Sequence, residues 1–97
     1  MFRHVVMLRL SDEATDGDRD AIVDALRALP GRIPELRSYE IGVDAGIGSG
    51  NADLVIVAGF DDVDGYTVYR DHPAHREVIE SLILPVLAER MAVQHEH

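Results

Sequence analysis

The sequence predicts an α+β domain in which one antiparallel sheet carries helices on a single face, and three observations support it. Residues 2–10 alternate as a strand whose two faces are both partly apolar. Apolar residues recur at helical spacing from Ile22 to Leu29 and again from Val78 to Ile83. Between them lies an unbroken apolar run, Leu54 to Phe60, short enough to be a buried strand.

Each element has its own local reason. In the first strand Phe2, His4, Val6, Leu8 and Leu10 share one face, and Arg3, Val5, Met7 and Arg9 share the other. Thr15 with Asp18 three residues later has the form of a capping box with the shorter acid, opening a helix with Ile22, Val23, Leu26 and Leu29 on its apolar stripe. Pro30-Gly31 stops it. The Tyr39, Ile41, Val43 alternation predicts a second strand, and glycines 46, 48 and 50 with Asn51 predict a hairpin loop into the third. Asp61-Asp62 supplies a cap for a short helix bearing Val63, Tyr66 and Tyr69. Pro73 interrupts that helix, putting His72 at a joint and starting a new helix at the position where a missing N–H costs nothing. Val78, Ile79, Leu82 and Ile83 form its apolar face, and residues from about Leu87 to His95 alternate weakly as a last strand. The order β-α-β-β-α-β, with the second helix broken, is the ferredoxin-like arrangement.

Ninety-seven residues make one domain, residues 1–97. A chain near this length buries only about two-thirds of its unfolded surface, so oligomerisation is a natural supplement. Val5, Met7, Val55 and Val57 would leave the sheet face opposite the helices apolar, and a second copy paired about a two-fold axis closes such a face. A homodimer through the open sheet face is therefore the expected assembly. The formal charge is −9, and all nine basic residues are singly scattered arginines, which argues against nucleic acid or an anionic membrane as partner. No apolar stretch approaches the ~20 residues of a spanning helix, and Met1-Phe2-Arg3-His4 lacks the build of a signal peptide. The absence of cysteine excludes disulfides, Cys-ligated metal and thiol nucleophiles together. A cytoplasmic protein is expected.

Candidate chemistry concentrates around Pro73, where Tyr66, Tyr69, Arg70, Asp71, His72 and His75 cluster in sequence. Histidine titrates near neutrality and serves as acid or base, while a neighbouring tyrosine donates to a developing enolate. His4 interrupts the apolar face of the first strand and needs a partner. It reads either as a core histidine bonded to a backbone carbonyl or to Tyr69, or as a group lining a pocket between sheet and helices. His75, one turn into its helix, reads either as solvent-exposed or as a group pointing back at the sheet, with a pKa depressed by the helix N-terminus. His72 reads as structural. His72 and His75 with Asp71 invite a metal reading, but the joint at Pro73 separates the two histidines and spacing assigns no ligand to complete the set, so neither a metal nor any cofactor is expected. The Gly46-Ile47-Gly48-Ser49-Gly50 stretch lacks the following helix that a phosphate cradle requires.

Phe2-Arg3-His4-Val5-Val6-Met7-Leu8-Arg9-Leu10, the Pro30-Gly31 to Pro34 segment, the Asp53 to Phe60 strand and above all Tyr69-Arg70-Asp71-His72-Pro73-Ala74-His75 resemble the stress-responsive A/B barrel family, over nearly the whole chain. The resemblance implies a homodimeric α+β barrel. Within that family it extends to a polyketide cyclase, which implies a cofactor-independent, aldol-type reaction on a small apolar or carbonyl-bearing ligand. It implies His75 as general base, Tyr69 as the group that positions or polarises the substrate, and His4 as a pocket-lining residue. The walls would be Val6, Leu8, Ile22, Val23, Leu26, Ile56, Val78 and Ile79; the sequence departs from the cyclase in carrying Ile22, Val23 and Leu26 in place of large aromatics and Glu89 at an apolar lining position. The same resemblance admits a non-enzymatic stress-response or ligand-binding protein, and the wider barrel superfamily admits a cofactor-free monooxygenase.

Overall fold

The computed structural model describes residues 1–97. Strand β1 (Phe2–Leu10) pairs antiparallel with β3 (Leu54–Phe60) on one side and with β4 (Leu87–Glu96) on the other. Strand β2 (Ser38–Val43) forms a hairpin with β3, so the sheet order is β2-β3-β1-β4. The first and last strands are thus neighbours, as the ferredoxin-like arrangement requires. No helix of the protein is long and apolar enough to cross a membrane.

Helix α1 (Asp16–Arg27) begins with the full capping box: the Asp18 N–H donates to Thr15 Oγ1, and the Thr15 N–H donates to the Asp18 carboxylate. A 3-10 turn over Leu29–Gly31 ends it. Helix α2 (Val63–Asp71) is capped by Asp62, which accepts from the Gly65 N–H. Of its expected stripe Tyr69 is fully buried, Tyr66 is half-buried and Val63 is exposed. At the joint, His72 is extended, with ψ near 133°, and its Nδ1 accepts from the Ala74 N–H as the N-cap of α3 (Pro73–Val78). The chain continues through a π-helical turn, Ile79–Ile83, and a 3-10 turn, Leu84–Val86, into β4.

The helices cover the face of β1 that carries His4, Val6, Leu8 and Leu10, and the core forms between them. Ile22, Leu26, Ile33, Leu54, Phe60 and Tyr69 are almost wholly withdrawn from water. Each such side chain contributes about 1.5–3 kcal/mol of transfer free energy. On the opposite face the ladders set Val5 between Val57 and Val93, and Met7 between Val55 and Met91. Met7, Met91 and Val93 lie between 44% and 60% exposed, an apolar band that a single chain leaves uncovered. Glu89 belongs to this open face, where its carboxylate accepts from Arg9 Nε at 3.3 Å, so it is not a wall of the space beneath the helices.

The β2–β3 loop is a hairpin connection. Gly46 and Gly50 take positive φ of 78° and 77°, and Asp44 holds the turn by accepting from the Gly46 N–H and from Asn51 Nδ2.

Candidate functional site

A cavity of about 290 Å³ lies between the helix-facing side of the sheet and the α2–α3 joint. His4, Tyr69 and His75 all border it, together with Val6, Leu8, Leu26, Ile56 and Ile79. Ile22, Val23 and Val78, expected on its wall, are instead packed into the core beside it. The reason is rotational: on α1 only Leu26 reaches the cavity, while Ile22 and Val23 fill the space between helix and sheet.

His4 enters from β1. Its partner is neither a backbone carbonyl nor Tyr69, the two expected from sequence, but Gln94, directly opposite on β4, whose Nε2 donates to His4 Nδ1 at 2.8 Å. That bond places the ring proton on Nε2. No buried polar side-chain atom of the chain lacks a partner, and His4 Nε2 has none within the protein, so this N–H opens to the cavity. Burial, assisted by the positive field of Arg90, pushes the His4 pKa down to about 4 and keeps the ring neutral. The Tyr66 ring lies 4.9 Å from it, and the Tyr66 hydroxyl is likewise without a protein partner.

His75 lies half-buried on α3, its ring 4.1 Å from that of Tyr69 at an interplanar angle of 33°. Its Nδ1 donates to the Arg70 carbonyl at 3.1 Å, across the break in the helix. The break therefore has a direct chemical effect. A continuous helix would consume the Arg70 carbonyl in its own ladder, whereas the proline joint releases it to orient the imidazole. With Nδ1 protonated, Nε2 carries the lone pair and, having no protein partner, meets the cavity. Burial holds the His75 pKa below the ordinary histidine value, with Arg76 and Arg90 acting in the same direction and the Arg70 carbonyl opposing them. Desolvation, rather than the helix N-terminus, is the main cause.

Tyr69 is buried, and its hydroxyl shares a 2.8 Å hydrogen bond with the Tyr39 hydroxyl from β2. Burial raises the Tyr69 pKa to about 12, and the bond to Tyr39 partly offsets that rise. Burial raises the Tyr39 pKa as well, so both hydroxyls keep their protons and either can donate in the shared bond. His72 and Asp71 do not join the site, since His72 Nδ1 is engaged by the Ala74 N–H and Asp71 by Arg70. No three metal-ligating side chains converge anywhere in the chain.

Tyr39, Gln94 and Arg90 complete the site, and sequence reasoning missed all three. Period-two alternation in the last strand puts residues 90, 92 and 94 on one face, which is a usable signal. It does not say that this face turns to the helices, because the apolar Met91 and Val93 occupy the other one.

Comparisons with known proteins place the chain. It is 41% identical to a dimeric ferredoxin-like protein of unknown function from Thermobifida fusca, with a TM-score of 0.89 over 97% of this chain and 88% of that one. It is 33% identical to an uncharacterised Streptomyces coelicolor protein over 78% of this chain and 80% of the relative. A hydroxynitrile lyase from Passiflora edulis superposes with a TM-score of 0.83 over 97% of this chain and 90% of that one, at 17% identity, a likeness of fold alone. The family model for the stress responsive A/B barrel domain matches residues 2–96, and the chain belongs to that family.

Proposed function

We propose that the cavity receives a small carbonyl compound and that His75 acts as a cofactor-independent general base, removing a proton from the carbon beside the carbonyl. The observation that supports this reading is the Nδ1–H donated by His75 to the Arg70 carbonyl, which leaves a neutral Nε2 lone pair facing the cavity. The C–H electron pair becomes the enolate, whose oxygen draws hydrogen bonds from donors on the same wall. Tyr69 supplies one when its hydroxyl turns to the substrate and accepts from Tyr39, and the His4 Nε2–H supplies another. Attack of the enolate carbon on a second carbonyl of the same molecule forms the new C–C bond, and the proton on His75 returns to the resulting alkoxide. The apolar walls hold a flexible chain near the conformation that this attack needs. The name of the Passiflora relative, a lyase, is compatible with acid–base chemistry on this fold.

The assembly in this reading is a two-fold dimer closed through the open sheet face, supported by the apolar band of Val5, Met7, Val55, Val57, Met91 and Val93 and by the dimeric Thermobifida fusca relative.

The test is exchange of the α-protons of 2-octanone for deuterium in heavy water, followed by NMR. Exchange faster than in buffer is expected for the wild type, with a loss of about 100-fold or more in a folded His75→Ala variant. Equal rates in both would overturn the base assignment and leave a ligand-binding protein.

A further inference from the structure

The charged groups around the cavity are of one sign. Eighteen Asp and Glu residues give the chain its charge of −9, yet none lines this wall, which instead carries Arg70, Arg76 and Arg90 beside His4 and His75. Two of the three arginines are already satisfied: Arg70 binds Asp71 at 2.9 Å, and Arg76 binds Glu80 at 3.1 Å. Arg90 has no ion pair; Arg3, Arg27 and Arg32 lack one too, but of these four only Arg90 lines the cavity. It projects from the helix-facing side of β4, opposite Leu8 and four residues before Gln94, the residue that holds His4. Its positive field reaches His4, Tyr69 and His75 alike, so it acts on the same chamber as the proposed chemistry.

We infer that the ligand of this cavity carries a carboxylate, which Arg90 binds, and an aliphatic or similarly apolar body, which Leu26, Ile56, Ile79, Leu84 and Leu87 enclose. The inference rests on the reading of the cavity as the ligand site. A guanidinium with no partner in the chain presents a planar fork of N–H donors that matches a carboxylate in a bidentate pair. Acidic side chains elsewhere on a strongly acidic surface repel such a ligand, and this wall is where that repulsion is reversed. The cavity volume, at the small end of organic ligand sites, fits a short-chain organic acid rather than a large conjugate. Combined with a base that works beside a carbonyl, the substrate class is an oxo acid with a hydrocarbon chain.

The experiment is calorimetric titration of the whole chain with octanoate and with octanamide at pH 7, on the wild type, Arg90→Gln and Arg90→Lys. The His4 and His75 ring signals in NMR locate the bound probe. Octanoate is expected to bind the wild type about tenfold more tightly than octanamide, equivalent to about 1.4 kcal/mol. Arg90→Gln should abolish that preference without weakening octanamide, and Arg90→Lys should keep part of it. Equal affinities in the wild type, no saturable octanoate binding, or an unchanged preference in Arg90→Gln would each overturn the inference. Because this readout involves no turnover, failure of deuterium exchange on 2-octanone sinks the base assignment alone, and loss of the acid preference sinks the role of Arg90 alone.

Discussion

His4 and Gln94, ninety positions apart in the chain, face each other across the β1–β4 ladder and are joined by a hydrogen bond of 2.8 Å from the amide to the imidazole. The pair ties the two ends of the chain to the wall of the cavity, and burial of its imidazole gives the protein a specific response to acid. His4 has a folded pKa of about 4 against 6.5 when unfolded. At pH 7 the folded ring is unprotonated and the unfolded one mostly so. As the pH falls from about 6.5 to about 4 the unfolded chain takes it up first, so stability declines through that window and levels off below it. The shift corresponds to about 3 kcal/mol. Urea unfolding at pH 7 and pH 4.5 should therefore show a smaller acid loss in His4→Gln than in the wild type, and parallel losses would contradict the assignment. His75, also depressed, contributes in the same direction in both proteins.

A companion substitution checks the sign. Gln94→Glu places a carboxylate where the amide now donates, which favours the imidazolium. The His4 pKa should rise, and NMR titration of the ring should move its midpoint from near 4 toward or above the ordinary histidine value. A midpoint that stays near 4 would show that burial overrides the neighbouring charge.

Tyr39 and Tyr69 satisfy each other in the half-buried layer between β2 and α2. Removing either hydroxyl leaves the other without a partner, at a cost of about 1–3 kcal/mol for each single Tyr→Phe change. The double variant should cost less than the sum of the singles, and a double-mutant cycle in chemical denaturation measures the coupling. Additive losses would mean that the two hydroxyls do not depend on each other.

His72 and His75 separate structure from chemistry within a four-residue stretch. His72→Ala removes the cap on the Ala74 N–H and should cost about 0.5–2 kcal/mol in thermal or urea unfolding, with Asn at the same position restoring most of it. Deuterium exchange on 2-octanone should survive that change and fail in His75→Ala. The reverse pattern would exchange the two roles.

The open sheet face makes a prediction about assembly. Val5 sits between Val57 and Val93 at the centre of the apolar band, so Val5→Arg buries a charge in any sheet-to-sheet contact. Sedimentation should show a dimer for the wild type at micromolar concentration and a folded monomer for the variant. A wild-type monomer would refute the closure of this face by a second copy.

Much of this protein is local in origin. The Thr15–Asp18 box, the Asp62 cap, the proline joint at His72 and the alternation of β1 are set by residues within a few positions of one another, and the sequence alone determined them together with the α+β class. It also singled out His4, Tyr69 and His75, because a histidine on an apolar strand face and a Tyr-x-x-His-Pro-x-His run stand out against their neighbours. Tertiary structure decided what those side chains do. The partner of His4, the hydroxyl bonded to Tyr69 and the arginine left free at the cavity depend on which face of β4 turns inward and on the register of strands distant in the chain. Alternation states only that residues 90, 92 and 94 lie together; the registers of the β1 ladders and the rotation of α1 decide that they meet His4 and Leu8 while Ile22 and Val23 do not reach the cavity. Those choices are made by packing the whole sheet against the helices, a sum over many weak contacts that no short stretch of sequence contains.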